Sequence, residues 1–294
     1  MSAIISPAPR KKADRVARIG IYAFLVTAAL FFLLPLYVMV LTSLKPMSEI
    51  REGDLMAWPL APTFAPWVKA WMQVCTGLKC EGIRGGFVNS WFILVPSVVV
   101  SIAAGALNGY ALSFWRFRGA NVLFGILMLG AFVPYQVYLL PLVRIMAGIG
   151  LFGTLPGIVI VHTIFGMPVM TMLFRNFYAS IPRELFSAAR VDGCGFLRIF
   201  WSVMLPMSTP IVIVAAILQT TGIWNDFILG LVFAGSENAP MTVQLNNVVN
   251  SQQGEKEYNV NMAATMLTAM VPMAVYFLSG RYFVRGIAAG AVKG

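Results

Sequence analysis

Six stretches of this chain run for 20 residues or more with almost no charge, and that pattern limits its fold more than any other feature. A helix needs about 20 mainly apolar residues to cross a ~30 Å hydrocarbon core. No charged residue occurs between Arg18 and Lys45, between Arg84 and Arg116, or between Arg118 and Arg144. The segment from Arg144 to Arg175 is also uncharged inside, with Gly148, Gly150, Gly153 and Pro156 marking a turn near its start. Met207 to Phe233 carries only Asp226, and Asn259 to Gly280 carries no charge. The expected spans are therefore 19–44, 88–114, 120–143, 155–174, 207–233 and 259–280. With 59% hydrophobic and 11% charged residues, the chain has too little charge to cover a water-facing surface. The expected fold is all-α, a polytopic transmembrane bundle of helices. The first run is longer than a signal-peptide core, and Leu44-Lys45-Pro46 follow it instead of a small-residue cleavage site, so it is expected to be a mature helix.

Basic residues orient the bundle. With the N-terminus inside, the cytoplasmic segments hold 14 of the 21 Lys and Arg: Arg10, Lys11, Lys12, Arg15, Arg18, Arg116, Arg118, Arg175, Arg183, Arg190, Arg198, Arg281, Arg285 and Lys293. The outside segments hold seven, five of them in the 45–87 loop, and long loops weigh little in the positive-inside rule. Both termini are expected in the cytoplasm, as tails over 1–18 and 281–294 flanking a transmembrane domain over 19–280. The net charge of +10 reflects this asymmetry; no motif for base or phosphate recognition accompanies it, and no nucleic-acid partner is expected.

Several positions stand out. Cys75 and Cys80 fall in the outer loop with Gly77 between them, either as a disulfide suited to an oxidising compartment or as two free thiols. Cys194 falls on the cytoplasmic side as a small filler residue. Trp58, Trp67 and Trp71 suit either a helix at the membrane interface or a loop packed on its own aromatics. The 234–258 segment reads as a polar external loop. Gly105 and Gly109 form a G-x-x-x-G pair, which permits close helix approach or reflects the abundance of glycine in membrane helices. Pro134, Pro141, Pro156 and Pro168 offer breaks that open backbone to a cavity. Asn225 and Asp226 interrupt the fifth apolar run. Asp226 either faces a pathway or permease interface, or sits at a helix end near the headgroups. His162, the chain's one histidine, is a hydrogen-bonded packing residue or a pathway ligand. No cluster suits a metal.

The cytoplasmic loop over 175–206 is the most informative. Pro182 fits a helix start, Glu184 favours the positive end of its dipole, and Gly193 supplies a left-handed stop. Leu185, Ala188, Ala189 and Asp192 fall on neighbouring positions of that helix. A second helical stretch over 196–204 ends at Leu205-Pro206.

This loop resembles the "EAA" motif of ABC importer permeases: E-A-A, three residues, Gly, nine residues, I-x-L-P. Ser187-Ala188-Ala189, Gly193 and Val203-Met204-Leu205-Pro206 fall at the matching spacing. Ser187 replaces the motif glutamate, leaving Glu184 nearly one turn earlier to substitute for it, and Val203 replaces isoleucine. The wider set IPREL…AARVDG, LTSLKP, WNDF and YFVRGIAAGAVKG is similar to the sugar-uptake branch, the maltose-system type of inner-membrane permease.

The resemblance implies a permease subunit in a bacterial inner membrane that moves a sugar delivered by a periplasmic binding protein. It further implies pairing with a second permease chain and docking of the short helix in a groove on a cytoplasmic ABC ATPase dimer, which carries the ATP and Mg. No G-x-x-x-x-G-K-[ST] phosphate loop occurs in the chain, so hydrolysis is expected on a partner and no cofactor on this chain. The alternative is an ion-coupled secondary transporter, which would carry paired repeats and matching broken helices, and neither is visible. An intramembrane enzyme would need facing titratable groups or an H-E-x-x-H motif, and the chain has no such motif.

Overall fold

The uncharged runs become helices because helices satisfy every backbone polar group internally, a requirement in hydrocarbon. The computed structural model describes residues 11–76, 79–115, 117–250 and 256–291, and no strand occurs among them. The helices are α1 (Lys11–Ser43), α2 (Met47–Arg51), α3 (Ala65–Met72), α4 (Arg84–Phe114), α5 (Ala120–Phe132), α6 (Leu139–Gly148), α7 (Leu155–Ala179), α8 (Arg183–Val191), α9 (Phe196–Ile199), α10 (Leu205–Met207), α11 (Thr209–Trp224), α12 (Ile228–Phe233), α13 (Met241–Asn250) and α14 (Tyr258–Ala291). Four segments are long and apolar enough to cross a bilayer alone: Ala17–Ser43, Arg84–Phe114, Leu155–Ala179 and Tyr258–Gly280. Two bent pairs complete the set, six in all if each pair is one span.

One bend falls at Pro134, among the prolines expected to break the 120–143 span, and the other at the start of the span expected over 207–233. The first pair bends by 97° between Ala120–Phe132 and Tyr135–Gly148. Pro134 has no N–H to continue α5 and holds Val133 extended, at φ −72° and ψ 130°. The second pair bends by 78° between Phe196–Met207 and Thr209–Trp224, at the buried Ser208. The expected fifth run breaks again after Trp224, where Asn225, Asp226 and Phe227 separate α11 from α12. The 234–258 segment is not a plain loop: α13 lies within it and buries Met241, Val243 and Val248.

The axis of the bundle is the contact between α4 and α7. Ser97, Ser101, Gly105 and Gly109 recur every fourth residue along α4 and are all buried. A Cβ on Gly105 would stand 2.4 Å from the Met170 Cβ, and one on Gly109 would stand 2.7 Å from the Phe174 Cβ. Both glycines therefore serve close helix packing, which settles the two readings of the G-x-x-x-G pair.

Two apolar cores flank this axis, one toward each end. The first gathers α3, the start of α4, the start of α7, the end of α11, α12, α13 and the start of α14, around Ile93, Ile158, Trp224 and Phe233. The second gathers the end of α4, the end of α7, α8, α9 and the start of α11, around Tyr110, Phe174, Tyr178 and Phe200. At the first end Trp67 and Trp71 pack on the core while Trp58 is exposed. Most of α1 packs against nothing: Phe24, Phe31 and Phe32 are more than two-thirds exposed.

Candidate functional site

At the second end the chain leaves α7, passes Ser180, Ile181 and Pro182, and enters α8. Pro182 sits one residue ahead of the helix, and Glu184 lies in its first turn. The stop is a Schellman turn: the Cys194 N–H donates to the Ala189 carbonyl at 3.0 Å, and the Gly193 N–H to the Arg190 carbonyl at 3.1 Å. Gly193 takes φ +78°, the left-handed conformation expected of it. Cys194 packs beside Ala189 on the second core.

One side chain anchors α8. Phe186 is buried and stacks on Phe114 with ring centroids 4.9 Å apart. Tyr110 completes this aromatic nest, with its ring 4.6 Å from Phe196 and its hydroxyl donating to the Phe196 carbonyl at 3.1 Å. The nest was missed in the sequence, although Tyr110 and Phe114 lie four residues apart at the end of an apolar run, where aromatics face one another on a helix.

The rest of α8 faces outward. Glu184, Leu185, Ser187, Ala188, Arg190 and Val191 are exposed, as is Asp192 just beyond, and Val191 is 87% exposed. The two alanines differ: Ala188 is exposed, whereas Ala189 is half-buried on the core side. Glu184 makes no ion pair among the described residues. With Leu197 at 57% and Trp201 at 62% exposure nearby, the surface offers apolar side chains that a water-facing loop would avoid.

The motif's second half has an unusual geometry. Phe200–Met204 form a single π turn directly before Leu205 and Pro206. Pro206 lacks the N–H that would meet the Ser202 carbonyl, and widening the turn relieves the ring's clash with it. Leu205 is half-buried on the second core, and Pro206 is exposed. Ser208 Oγ then lies 2.6 Å from the Met204 carbonyl and 3.0 Å from the Tyr178 hydroxyl, tying the bend to α7.

Asp226 lies toward the opposite end. Its carboxylate accepts from the Gly230 N–H at 2.9 Å and the Leu229 N–H at 3.4 Å, capping α12. His162 is buried on α7, with Nε2 3.9 Å from the Asp226 carboxylate, so the structure brings these two together. Asn225 is exposed at the end of α11. The same end joins Cys75 to Cys80 in a disulfide and pairs Lys79 with Glu237 at 2.9 Å and Lys69 with Glu257 at 2.6 Å. The hydrogen bond and charge of Glu237 raise the pKa of Lys79. Lys45 of the LTSLKP stretch is almost fully buried, its ammonium donating to the Asp54 carbonyl at 2.7 Å. Gly77, Arg10, Arg116 and Lys293 lie outside the described residues.

Comparison with known proteins agrees with this layout. Residues 97–289 match the family described as the binding-protein-dependent transport system inner membrane component. The osmoprotective compounds uptake permease protein GgtD of Synechocystis sp. is 33% identical over 96% of this chain and 95% of its own. The alpha-glucoside transport system permease protein AglG of Rhizobium meliloti is 38% identical over 74% of this chain, which spans 58% of AglG. Among solved structures, a bacterial ABC transporter involved in the import of the acidic polysaccharide alginate has a chain with the same fold. Its TM-score is 0.75 at 21% identity, covering 95% of this chain and 99% of that one. Matched over more than half its length, the chain belongs to the family of inner-membrane permeases of binding-protein-dependent transport systems.

Proposed function

We propose that this chain forms half of the sugar pathway of an ATP-driven importer in a bacterial inner membrane, crossing it six times with both termini cytoplasmic. The observation that carries the proposal is α8: a short helix held by one buried phenylalanine, stopped by Gly193, and presenting Leu185, Ala188 and Val191 outward. Such a helix fits a groove on a cytoplasmic ATPase dimer, where ATP and Mg act, because small and apolar outward residues allow close seating. The exposed apolar length of α1 and the outer face of α5 suit lipid and a second permease chain. A binding protein would deliver the substrate at the opposite end. The name of AglG and the sugar-branch motifs support a sugar as substrate.

The broken spans support a pathway between the helices. Behind Pro134 the carbonyls of Gly130, Ala131 and Phe132 find no backbone donor among the described residues, and such groups are tolerated at membrane depth only against water or protein. Asn225, Asp226 and His162 sit beside the interruption after Trp224, where Asp226 holds α12 in place and closes one side.

The test is reconstitution of the complex in vesicles with its binding protein, followed by mass spectrometry of the ligand that protein retains. Uptake should require ATP and be indifferent to ionophores, and the retained ligand should be a saccharide. Uptake driven by an ion gradient without ATP would overturn the importer reading, and a ligand of another class would overturn the sugar.

A further inference from the structure

Where α4 ends, α5 begins and α7 ends, the chain lines an open cavity of about 520 Å³. Two arginines line it from different walls. Arg175, in the last turns of α7, has its guanidinium carbon 4.1 Å from the Phe124 ring centroid, and Ser113 Oγ donates to its carbonyl at 3.3 Å. Arg183, the first residue of α8, lines it as well. No carboxylate lines the cavity, and neither arginine makes an ion pair among the described residues.

The floor adds further donors. Gly119, at φ +91°, turns the chain into the 13-residue helix α5, whose first residues line the cavity. The backbone N–H groups of Asn121 and Val122 find no acceptor among the described residues, which leaves them for a ligand. Two guanidinium groups and the positive end of a helix together suit a phosphate.

The setting identifies its source. Three apolar helices start or stop at this level, so the cavity lies at headgroup depth, and Trp115 and Phe117 at its rim suit that interface. From the cavity an exposed apolar stripe runs along α5 through Val122, Ile126 and Leu129, each more than 60% exposed and one helical turn from the next. A free anion has no use for that stripe; acyl chains do.

We propose that this cavity binds the phosphate of an anionic phospholipid from the leaflet beside α8, with its acyl chains along α5. The proposal rests on the spanning reading of α4, α5 and α7, and is independent of the transported substrate. Lipid bound there would brace the junction of α7 with α8, and basic pockets between helices at the cytoplasmic surface are known hosts for such headgroups.

The experiment is native mass spectrometry of the full-length chain, with its copurifying subunits, released from nanodiscs of phosphatidylcholine mixed with phosphatidylglycerol. Wild type should retain phosphatidylglycerol in preference. The double variant Arg175→Gln/Arg183→Gln should lose that preference by roughly tenfold or more at equal yield. Asn121→Glu, an exposed change that touches no packing, should lower it too and covers the case in which the double variant misfolds. Inorganic phosphate at millimolar level should not displace the lipid. Unchanged preference in Asn121→Glu and in a folded double variant would overturn the proposal. Full displacement by inorganic phosphate would also overturn it, by assigning the cavity to a soluble anion.

Discussion

The two ends of the bundle are finished in opposite ways. Around Trp224 the loops are tied to one another: a disulfide at Cys75 and Cys80, ion pairs from Lys69 and Lys79, the buried ammonium of Lys45, and hydrogen bonds from Asn89 to the Glu237 and Ala239 carbonyls. Around Tyr110 the core is aromatic and the surface beyond it is left open, with Leu185, Val191 and Leu197 exposed. Polar ties across loops fix a shape that must persist without a partner. Exposed apolar residues on a helix with a single anchor describe a surface finished by another molecule.

The largest effect should come from a change that serves both ends. Gly109→Leu drives a side chain into the Phe174 Cβ and the Arg175 backbone nitrogen, each 2.7 Å from the position of a Cβ. Overpacking of this kind costs ~1–3 kcal/mol when neighbours yield, and a helix backbone cannot. The protein should fall in membrane abundance and in thermal midpoint, measured by fluorescence size-exclusion after heating. A stable Gly109→Leu protein would mean that the α4–α7 axis is not what joins the two ends.

Changes confined to the open end should separate transport from folding. Ala188→Trp adds bulk on the exposed face of α8, and Gly193→Val strains a φ of +78° that costs other residues roughly 1–2 kcal/mol. Both should reach the membrane normally and lose uptake, through loss of the ATPase on purification or of hydrolysis stimulated by loaded binding protein. Ala188 is a cleaner position than Ala189, where a tryptophan would also press on the aromatic nest. Normal uptake in both variants would make this end an ordinary surface.

The smallest effect belongs to the tied end. Asp226→Ala removes the carboxylate that caps α12 and should lower stability by about 1 kcal/mol, whereas Asp226→Asn keeps an acceptor there and should lose less. If uptake instead falls equally in both while the thermal midpoint stays fixed, the charge serves the pathway and the cap is secondary.

The division between what the sequence disclosed and what it hid follows from the same physics. Helix existence was legible because charge is excluded over a whole span, and the end of α8 because Gly193 alone suits a left-handed turn. Pro134 was legible as a break, but the size of its bend and the bend at Ser208 were not, because hydropathy is blind to direction: an apolar run reads alike whether straight or folded by 97°. The seam of Ser97, Ser101, Gly105 and Gly109 showed only as a glycine pair, since serines at that spacing carry no signal until a facing helix is known. Phe186 was passed over for its neighbours Ala188 and Ala189, because motif matching favours the named letters over the residue that seats them. Asp226 drew attention as a charge in an apolar run, whereas its visible task is to hold a helix start.

The π turn at Phe200–Met204 bears on how this loop tolerates length change. An α-helix turns about 100° per residue, so one surplus residue rotates everything beyond it by nearly a third of a revolution. The nine residues between Gly193 and Val203 include the start of that turn, which takes up one such residue locally and so keeps the azimuth at which α8 and α9 meet α11. Inserting a further residue there, with nothing to absorb it, would swing the α8 face off target while leaving its own letters intact. The loop's count is thus as much a part of its message as its alanines and glycine.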